Sequence, residues 1–288
     1  MKKYFLIFIL FLLNPVPLQA FTLSHFESPE SVVVDPEDGS YYVSNVNGLP
    51  SLKDGNGYIS RINRNGSLVI QKYIGGKDGI LDAPKGLALI GKELFVADID
   101  SVKVFNKKTK KLVRNISLTE FNVKFLNDLA VDPQGVIYAS ETTNNQIFKI
   151  NTKKNYEATL YKQGRELGHP NGLLFNPKSK ELMVLSWETG QLLEIDYLGR
   201  IHVLKKGLKT LDGMDYDGDG NLYVSSFDQG EIYKIPYFGR GAVSTYLSGL
   251  RGPADICFDR KKEELIIPSF TGNTVSTLYK RKERLAEK

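Results

Sequence analysis

His169-Pro170-Asn171-Gly172-Leu173-Leu174-Phe175-Asn176 sets the reading of this chain: a polar start, a short apolar run, and an amide to end it. Leu182-Met183-Val184-Leu185-Ser186 follows, a second apolar run closing on a small polar residue. The pair recurs. Pro29-Glu30-Ser31-Val32-Val33-Val34-Asp35 precedes Tyr42-Val43-Ser44, and Pro84-Lys85-Gly86-Leu87-Ala88-Leu89 precedes Leu94-Phe95-Val96-Ala97-Asp98. Leu126-Asn127-Asp128-Leu129-Ala130-Val131-Asp132 precedes Ile137-Tyr138-Ala139-Ser140. Leu211-Asp212-Gly213-Met214-Asp215-Tyr216-Asp217 precedes Leu222-Tyr223-Val224-Ser225-Ser226, and Pro253-Ala254-Asp255-Ile256-Cys257-Phe258-Asp259 precedes Leu265-Ile266-Ile267-Pro268-Ser269. The six copies start at residues 29, 84, 126, 170, 211 and 253, so their spacings are 55, 42, 44, 41 and 42. A strand-like phrase with that period predicts propeller blades, which run about 40–50 residues each. A blade cannot bury both faces alone and needs neighbours on both sides. The repeat therefore predicts one all-β domain over residues 21–279, a six-bladed β-propeller with four strands per blade.

Repeat three divides into strands at 128–132, 136–140, 145–151 and 156–161, with turn chemistry between them such as Asp132-Pro133-Gln134-Gly135. Third strands alternate, as in Gln146-Ile147-Phe148-Lys149-Ile150. The extra length of repeat one falls at Val46 to Asn56, a Gly-, Asn- and Ser-rich loop between its second and third strands. Repeat six lacks a fourth strand, because only a charged tail follows Thr274 to Tyr279. The alternating run Phe21 to Phe26 is expected to supply it and close the ring, which removes unpaired edges.

Residues 1–20 read as a secretory signal: Lys2 and Lys3, an apolar core from Tyr4 to Leu13, and Leu18-Gln19-Ala20 as a cleavage site. The core is short against the roughly 20 residues of a membrane span. The expectation is an exported protein, periplasmic or secreted, without stable membrane insertion once the signal is cleaved. Lys2, Lys3 and the tail 280–288, with five basic and two acidic residues, account for the whole net charge of +5. The body is neutral, which gives no basic face for nucleic acid. The single Cys257 lies inside an apolar strand pattern and reads as a small buried hydrophobe rather than a nucleophile. A monomer is expected.

In a propeller the innermost strands line the channel, so equivalent residues at their starts form a ring at one mouth. The second positions are Glu30, Lys85, Asn127, Asn171, Asp212 and Ala254. Four of the six, Glu30, Asn127, Asn171 and Asp212, are oxygen donors of the kind Ca²⁺ accepts. The competing reading is that Asn and Asp start strands because they favour turns.

These phrases resemble the family of senescence marker protein (regucalcin), gluconolactonase and related lactonases, which are six-bladed propellers. The resemblance covers residues 21–279. Glu30-Ser31 matches the family's metal-binding Glu phrase, Asn171-Gly172-Leu173 its Asn-Gly-Leu phrase, and Asp212-Gly213-Met214 its Asp-Gly-Met phrase. Asn127-Asp128 matches its Asn-Asp phrase beside the metal and the substrate. The resemblance implies hydrolysis of a lactone or ester. One divalent cation, Ca²⁺ in first place with Zn²⁺ or Mn²⁺ as alternatives, would polarise the carbonyl. Asp212 would be both ligand and general base. A non-catalytic propeller binding a peptide, glycan or partner protein, as in related NHL-type repeats, is the alternative.

Two departures stand out. Family members acting on sugar lactones carry an Arg two residues before the Asn-Asp phrase, where this chain has Phe125. Lys85 enters the ring between Glu30 and Asn127, and three readings are open: a donor to a substrate carbonyl, a partner of Glu30 that competes with the metal, or a side chain bent to solvent. Of the three histidines only His169 is placed near the mouth, as a substrate contact or an exposed loop residue, while His25 and His202 fall on outer strands. Trp187, the only Trp, ends the second strand of repeat four, either as pocket wall or as core. Asp215-Tyr216-Asp217-Gly218-Asp219-Gly220 looks like the start of an EF-hand loop, but Ser226 stands where the bidentate Glu belongs, so it reads as an acidic hairpin turn. No zincin, Walker or Gly-x-Ser-x-Gly phrase occurs.

Overall fold

A computed structural model describes residues 19–67, 69–76 and 79–280. The expected signal falls almost wholly outside these residues, as does the tail beyond Lys280. The chain forms six four-stranded antiparallel sheets in succession, the blades of a propeller. The inner strands are Pro29–Val34, Pro84–Ile90, Leu126–Val131, Pro170–Phe175, Leu211–Tyr216 and Cys257–Asp259. No helix among the described residues is long and apolar enough to cross a membrane.

The last blade takes its outer strand from the other end of the chain. Gln19–Leu23 pairs antiparallel with Thr274–Tyr279, in register Phe21 to Thr277, Thr22 to Ser276 and Leu23 to Val275. The pairing stops at Leu23, short of the expected Phe26, because His25 and Ser28 take positive φ (72° and 51°) and turn the chain inward. His25 therefore lies in the connection to blade one rather than on an outer strand. Phe26 drops into the core between blades one and six. His202 is on an outer strand, Ile201–Lys205, where its Nε2 lies 3.0 Å from Asp196 Oδ2.

The apolar core sits between blades. Leu87, Leu94 and Val96 of blade two meet Tyr42, Ile59 and Ile74 of blade one, and similar clusters fill the other junctions. Alternation along each strand gives it two apolar faces, one for each neighbour, which is why the period of the sequence is a ring rather than a stack of free sheets.

Each inner strand but the last carries the same irregularity. Leu126 pairs with Glu141, but the next ladder pair is Leu129 with Ala139, so three steps on one strand answer two on the other. The same slip follows Pro29, Pro84, Pro170 and Leu211. This is a β-bulge, which lifts residues out of the ladder and re-aims their side chains. It also explains why the first strand of blade three starts at Leu126 and ends at Val131, rather than running 128–132.

Serines on the second strands hold the bulges. Ser225 Oγ accepts from Gly213 N (2.8 Å) and donates to Ala254 O (2.7 Å), and Ser140 Oγ does the same for Asp128 N (2.9 Å) and Asn171 O (2.7 Å). Each hydroxyl thus ties its own bulge to the inner strand of the next blade. Ser225→Ala would leave a buried donor and acceptor unmatched, at about 1–3 kcal/mol. Urea unfolding is expected to show that loss with an unchanged m value, and an unchanged midpoint would refute the role.

Candidate functional site

The bulges decide where the chemistry lies. All six second-position residues, Glu30, Lys85, Asn127, Asn171, Asp212 and Ala254, line one cavity of 330 Å³ at the channel mouth. All six are buried. In three of the six copies the next residue is glycine (Gly86, Gly172 and Gly213), which lets neighbouring inner strands approach closely. A Cβ on Gly172 would lie 2.2 Å from Asp212 O, and one on Gly213 would lie 2.3 Å from Asp255 Cα.

The floor is rich in unmatched oxygen. Glu30 Oε2, Asn127 Oδ1 and Asp212 Oδ1 are buried with no hydrogen-bond partner among the described residues. The Asn127 amide is oriented by its other end, Nδ2 donating to Thr142 Oγ1 (3.1 Å). Burial, and after it the charges of Asp212 and Asp255, push the Glu30 carboxyl well above the usual range, with Lys85 pulling the other way. Burial and the charge of Asp255 do the same to Asp212, against the pull of the Asn171 amide. Two carboxylates desolvated together are held at a cost that a cation between them would relieve. Two carboxylates and two amides are hard oxygen donors, which suit Ca²⁺ better than the nitrogen and sulfur ligands typical of zinc. The set thus fits a divalent cation held by Glu30, Asn127, Asn171 and Asp212. The ring holds only two acidic residues, and no cluster of three or more His, Cys, Asp or Glu suited to a metal occurs among the described residues.

Lys85 is 2% exposed, so it does not bend out to solvent. Nor does an ion pair within 4.0 Å join it to Glu30 among the described residues. Its Nζ donates to Ala83 O (3.0 Å) and lies 4.3 Å from the centroid of the Phe125 ring. Burial brings it down to about 8, against the opposing pull of Glu30 and Asp98. It is an amine facing the cavity beside an apolar ring.

Two candidate residues lie elsewhere. Asp128 turns away from the cavity, its Oδ1 accepting from Leu129 N and its Oδ2 from Leu173 N of the next blade (both 2.6 Å). It braces two inner strands instead of meeting substrate. Burial brings its carboxyl up to about 7, opposed by those two backbone donors. His169, with φ 59°, stands outside the cavity lining, its side chain 40% exposed and its Nε2 3.7 Å from Glu188 Oε2.

The wall is apolar, and sequence reasoning reaches only Phe125 and Trp187 of it. Phe125, Trp187, Phe227, Phe270 and Pro50 line it, with Thr142 among them. Trp187 and Phe227 have ring centroids 5.7 Å apart, and Phe227 and Phe270 5.8 Å apart. The three rings hold one repeat position, the residue after the polar end of the second strand (Ser186, Ser226 and Ser269). That shared position is the signal that joins Phe227 and Phe270 to Trp187. Those polar ends also pin the loops before the inner strands: Ser186 Oγ donates to Leu167 O (2.7 Å) and Ser226 Oγ to Lys209 O (2.6 Å). Glu141 serves the same purpose in blade three, its Oε1 accepting from Phe125 N (3.0 Å) and so placing that ring. Pro50 arrives on the long loop of blade one.

Other sequence features have structural roles. Asp217 Oδ1 accepts from Asp219 N and Asn221 N (both 2.9 Å), which makes the acidic stretch a hairpin turn. Cys257 is free, and burial pushes its thiol well up, away from nucleophilic character.

Fold and floor together define a six-bladed β-propeller with an oxygen-lined site at the channel mouth. The chain belongs to the SMP-30/gluconolactonase/LRE-like family, whose model matches residues 28–271. No curated protein matches the chain significantly. Among solved structures it is similar to selenomethionine-substituted virginiamycin B lyase from Staphylococcus aureus, at 14% identity over 91% of this chain and 99% of that one, with a TM-score of 0.64. It is also similar to a streptogramin B lyase (13% identity, 93% and 88% covered, TM-score 0.65). A third is an auxiliary nutrient binding protein from Bacteroides thetaiotaomicron VPI-5482 (11%, 88% and 69%, TM-score 0.68). At such identities these structures show the shared fold.

Proposed function

We propose that this protein is an exported, cation-dependent hydrolase of a lactone or ester. The observation that carries the reading is the floor: Glu30, Asn127, Asn171 and Asp212 converge on one cavity, and three of them offer a buried oxygen that nothing among the described residues satisfies. A bound Ca²⁺ would supply a Lewis acid there, polarising the carbonyl and holding the charge that develops on its oxygen. Asp212 takes a proton from the attacking water as the new bond to the carbonyl carbon forms. The carbon–oxygen bond of the ester then breaks, and the leaving alkoxide takes a proton from Asp212 or from Lys85. Asn127 and Asn171 hold the floor in register, while the aromatic wall keeps bulk water off the reacting carbonyl.

Export fits the closing strand, since cleavage after Ala20 leaves Phe21, Thr22 and Leu23 paired with Thr277, Ser276 and Val275. Metal analysis of the purified mature chain, run beside a panel of lactones and aryl esters, tests the reading. A stoichiometric divalent cation with hydrolysis supports it. Neither cation nor hydrolysis would sink it and leave a non-catalytic binding propeller, the reading that a buried ammonium in the ring favours.

Lys85 sets a further expectation. Its positive charge shares the floor with the cation, so Lys85→Met is expected to tighten Ca²⁺ binding by about tenfold or more in calorimetry. Unchanged or weaker binding would show that the amine does not oppose the cation.

A further inference from the structure

From the wall of the cavity we infer that the substrate is an aromatic or similarly flat apolar lactone or ester, and not a polyhydroxylated sugar lactone. The inference rests on the hydrolase reading for the words lactone and ester, and on the wall for the rest. Trp187, Phe227 and Phe270, from three successive blades, form a tilted arc with interplanar angles of 55° and 62°. Phe125 lines the same cavity from blade three. Such an arc receives a planar ring by edge and face contacts at little entropic cost, because each wall residue has only two side-chain torsions.

A sugar lactone would need donors and acceptors around its edge. The wall hydroxyl, Thr142 Oγ1, is already engaged on both sides, accepting from Asn127 Nδ2 (3.1 Å) and donating to Pro170 O (2.8 Å). The floor offers acceptors, with Lys85 as its charged donor. Beside Asn127 stands the Phe125 ring, which offers no donor and lies 4.3 Å from Lys85 Nζ. Hydroxyls that reach the wall would therefore be desolvated against carbon. The polar groups of this cavity recognise one carbonyl, and its carbon surface recognises the remainder of the molecule.

Trp187 is the only Trp of the chain, so its fluorescence reports from the wall itself. The full chain would be titrated, with Ca²⁺ and again with chelator, using dihydrocoumarin and D-glucono-1,5-lactone as probes, and hydrolysis of both would be followed in parallel. Dihydrocoumarin is expected to change Trp187 emission and to bind at least about 100-fold more tightly than the sugar lactone. Phe227→Ala and Phe270→Ala are expected to weaken dihydrocoumarin binding about tenfold and to leave the sugar lactone unaffected. Phe227→Leu keeps most of the packing volume and separates loss of the ring from loss of folding, which circular dichroism checks. Equal or tighter binding of the sugar lactone, or unaltered dihydrocoumarin binding in the folded variants, overturns the inference. Preferential binding of dihydrocoumarin without any hydrolysis upholds it and sinks the hydrolase reading. Hydrolysis confined to sugar lactones does the reverse.

Discussion

Asp212→Asn is expected to abolish hydrolysis, by at least about a thousand-fold, and to make the cation-free protein more stable. The two effects have one cause. Asp212 is a buried carboxylate whose Oδ1 has no partner, held near Glu30 and Asp255 by a fold that would be better off without its charge. An amide of the same shape keeps the hydrogen bonding that Asn171 offers and removes the repulsion. About 1–2 kcal/mol of stabilisation follows, or about 2–6 °C in melting temperature for a domain of this size. Calorimetric scans in chelator, beside Ca²⁺ titrations, check both halves. A melting temperature that falls together with activity would mean that the charge is already balanced inside the chain.

The same imbalance gives the wild type an inverted pH response. Glu30, Asp212 and Asp255 are pushed well above the usual carboxyl range by burial and then by one another's or Asp128's charge, and Asp128 reaches about 7 through burial. In the folded state they bind protons that the unfolded chain does not bind until about pH 4. Stability of the cation-free protein therefore rises as pH falls from about 7 toward 4. Added Ca²⁺ is expected to flatten that slope. A melting temperature that falls monotonically over this range in chelator would refute the account.

Gly172→Ala is expected to be among the most damaging single-methyl changes in the chain. The new Cβ would meet the Asp212 carbonyl oxygen at 2.2 Å, a backbone atom with no rotamer to escape into. The inner strands of blades four and five would have to part, at about 3 kcal/mol or more, and Asp212 would leave its place in the floor. Ca²⁺ affinity should fall with stability. Gly213→Ala, 2.3 Å from Asp255 Cα, tests the next junction. Gly218→Ala is the control, since nothing lies within 4 Å of its Cβ, and a change within about 0.5 kcal/mol is expected there. Wild-type unfolding midpoints for Gly172→Ala would show that the strands are not locked together at this point.

The blades were legible because each repeats the same two apolar runs, and repetition survives small errors of boundary. The second-position ring was legible for the same reason: residues equivalent by repeat are equivalent by rotation, so Glu30, Asn127, Asn171 and Asp212 had to share a mouth. Neighbours of the ring were not. A bulge changes the face a side chain takes without leaving a mark in composition, and so Asp128, one residue from Asn127, points into the junction with blade four instead of the cavity. Lys85 was ambiguous because a long chain can reach water from a shallow start, and only its burial, with Ala83 O and the Phe125 ring beside its amine, decides the matter. The aromatic wall was in plain view as Trp187, Phe227 and Phe270, but it belongs to a different register of the repeat from the ring.

Closing the ring with Gln19–Leu23 has a consequence for how the molecule is made. That strand is synthesised before any of the blades, while its partner, Thr274–Tyr279, is synthesised after nearly everything else. Blades one to five can pair their own strands as they emerge, each from neighbouring sequence, but the sixth waits for both ends. Until then the chain stays an open arc. A chain that stopped before Thr274 would leave its first strand without a partner, with the apolar faces of blades one and six bared to water. Completion of the last strand thus covers those faces and joins the two ends of the chain in one sheet.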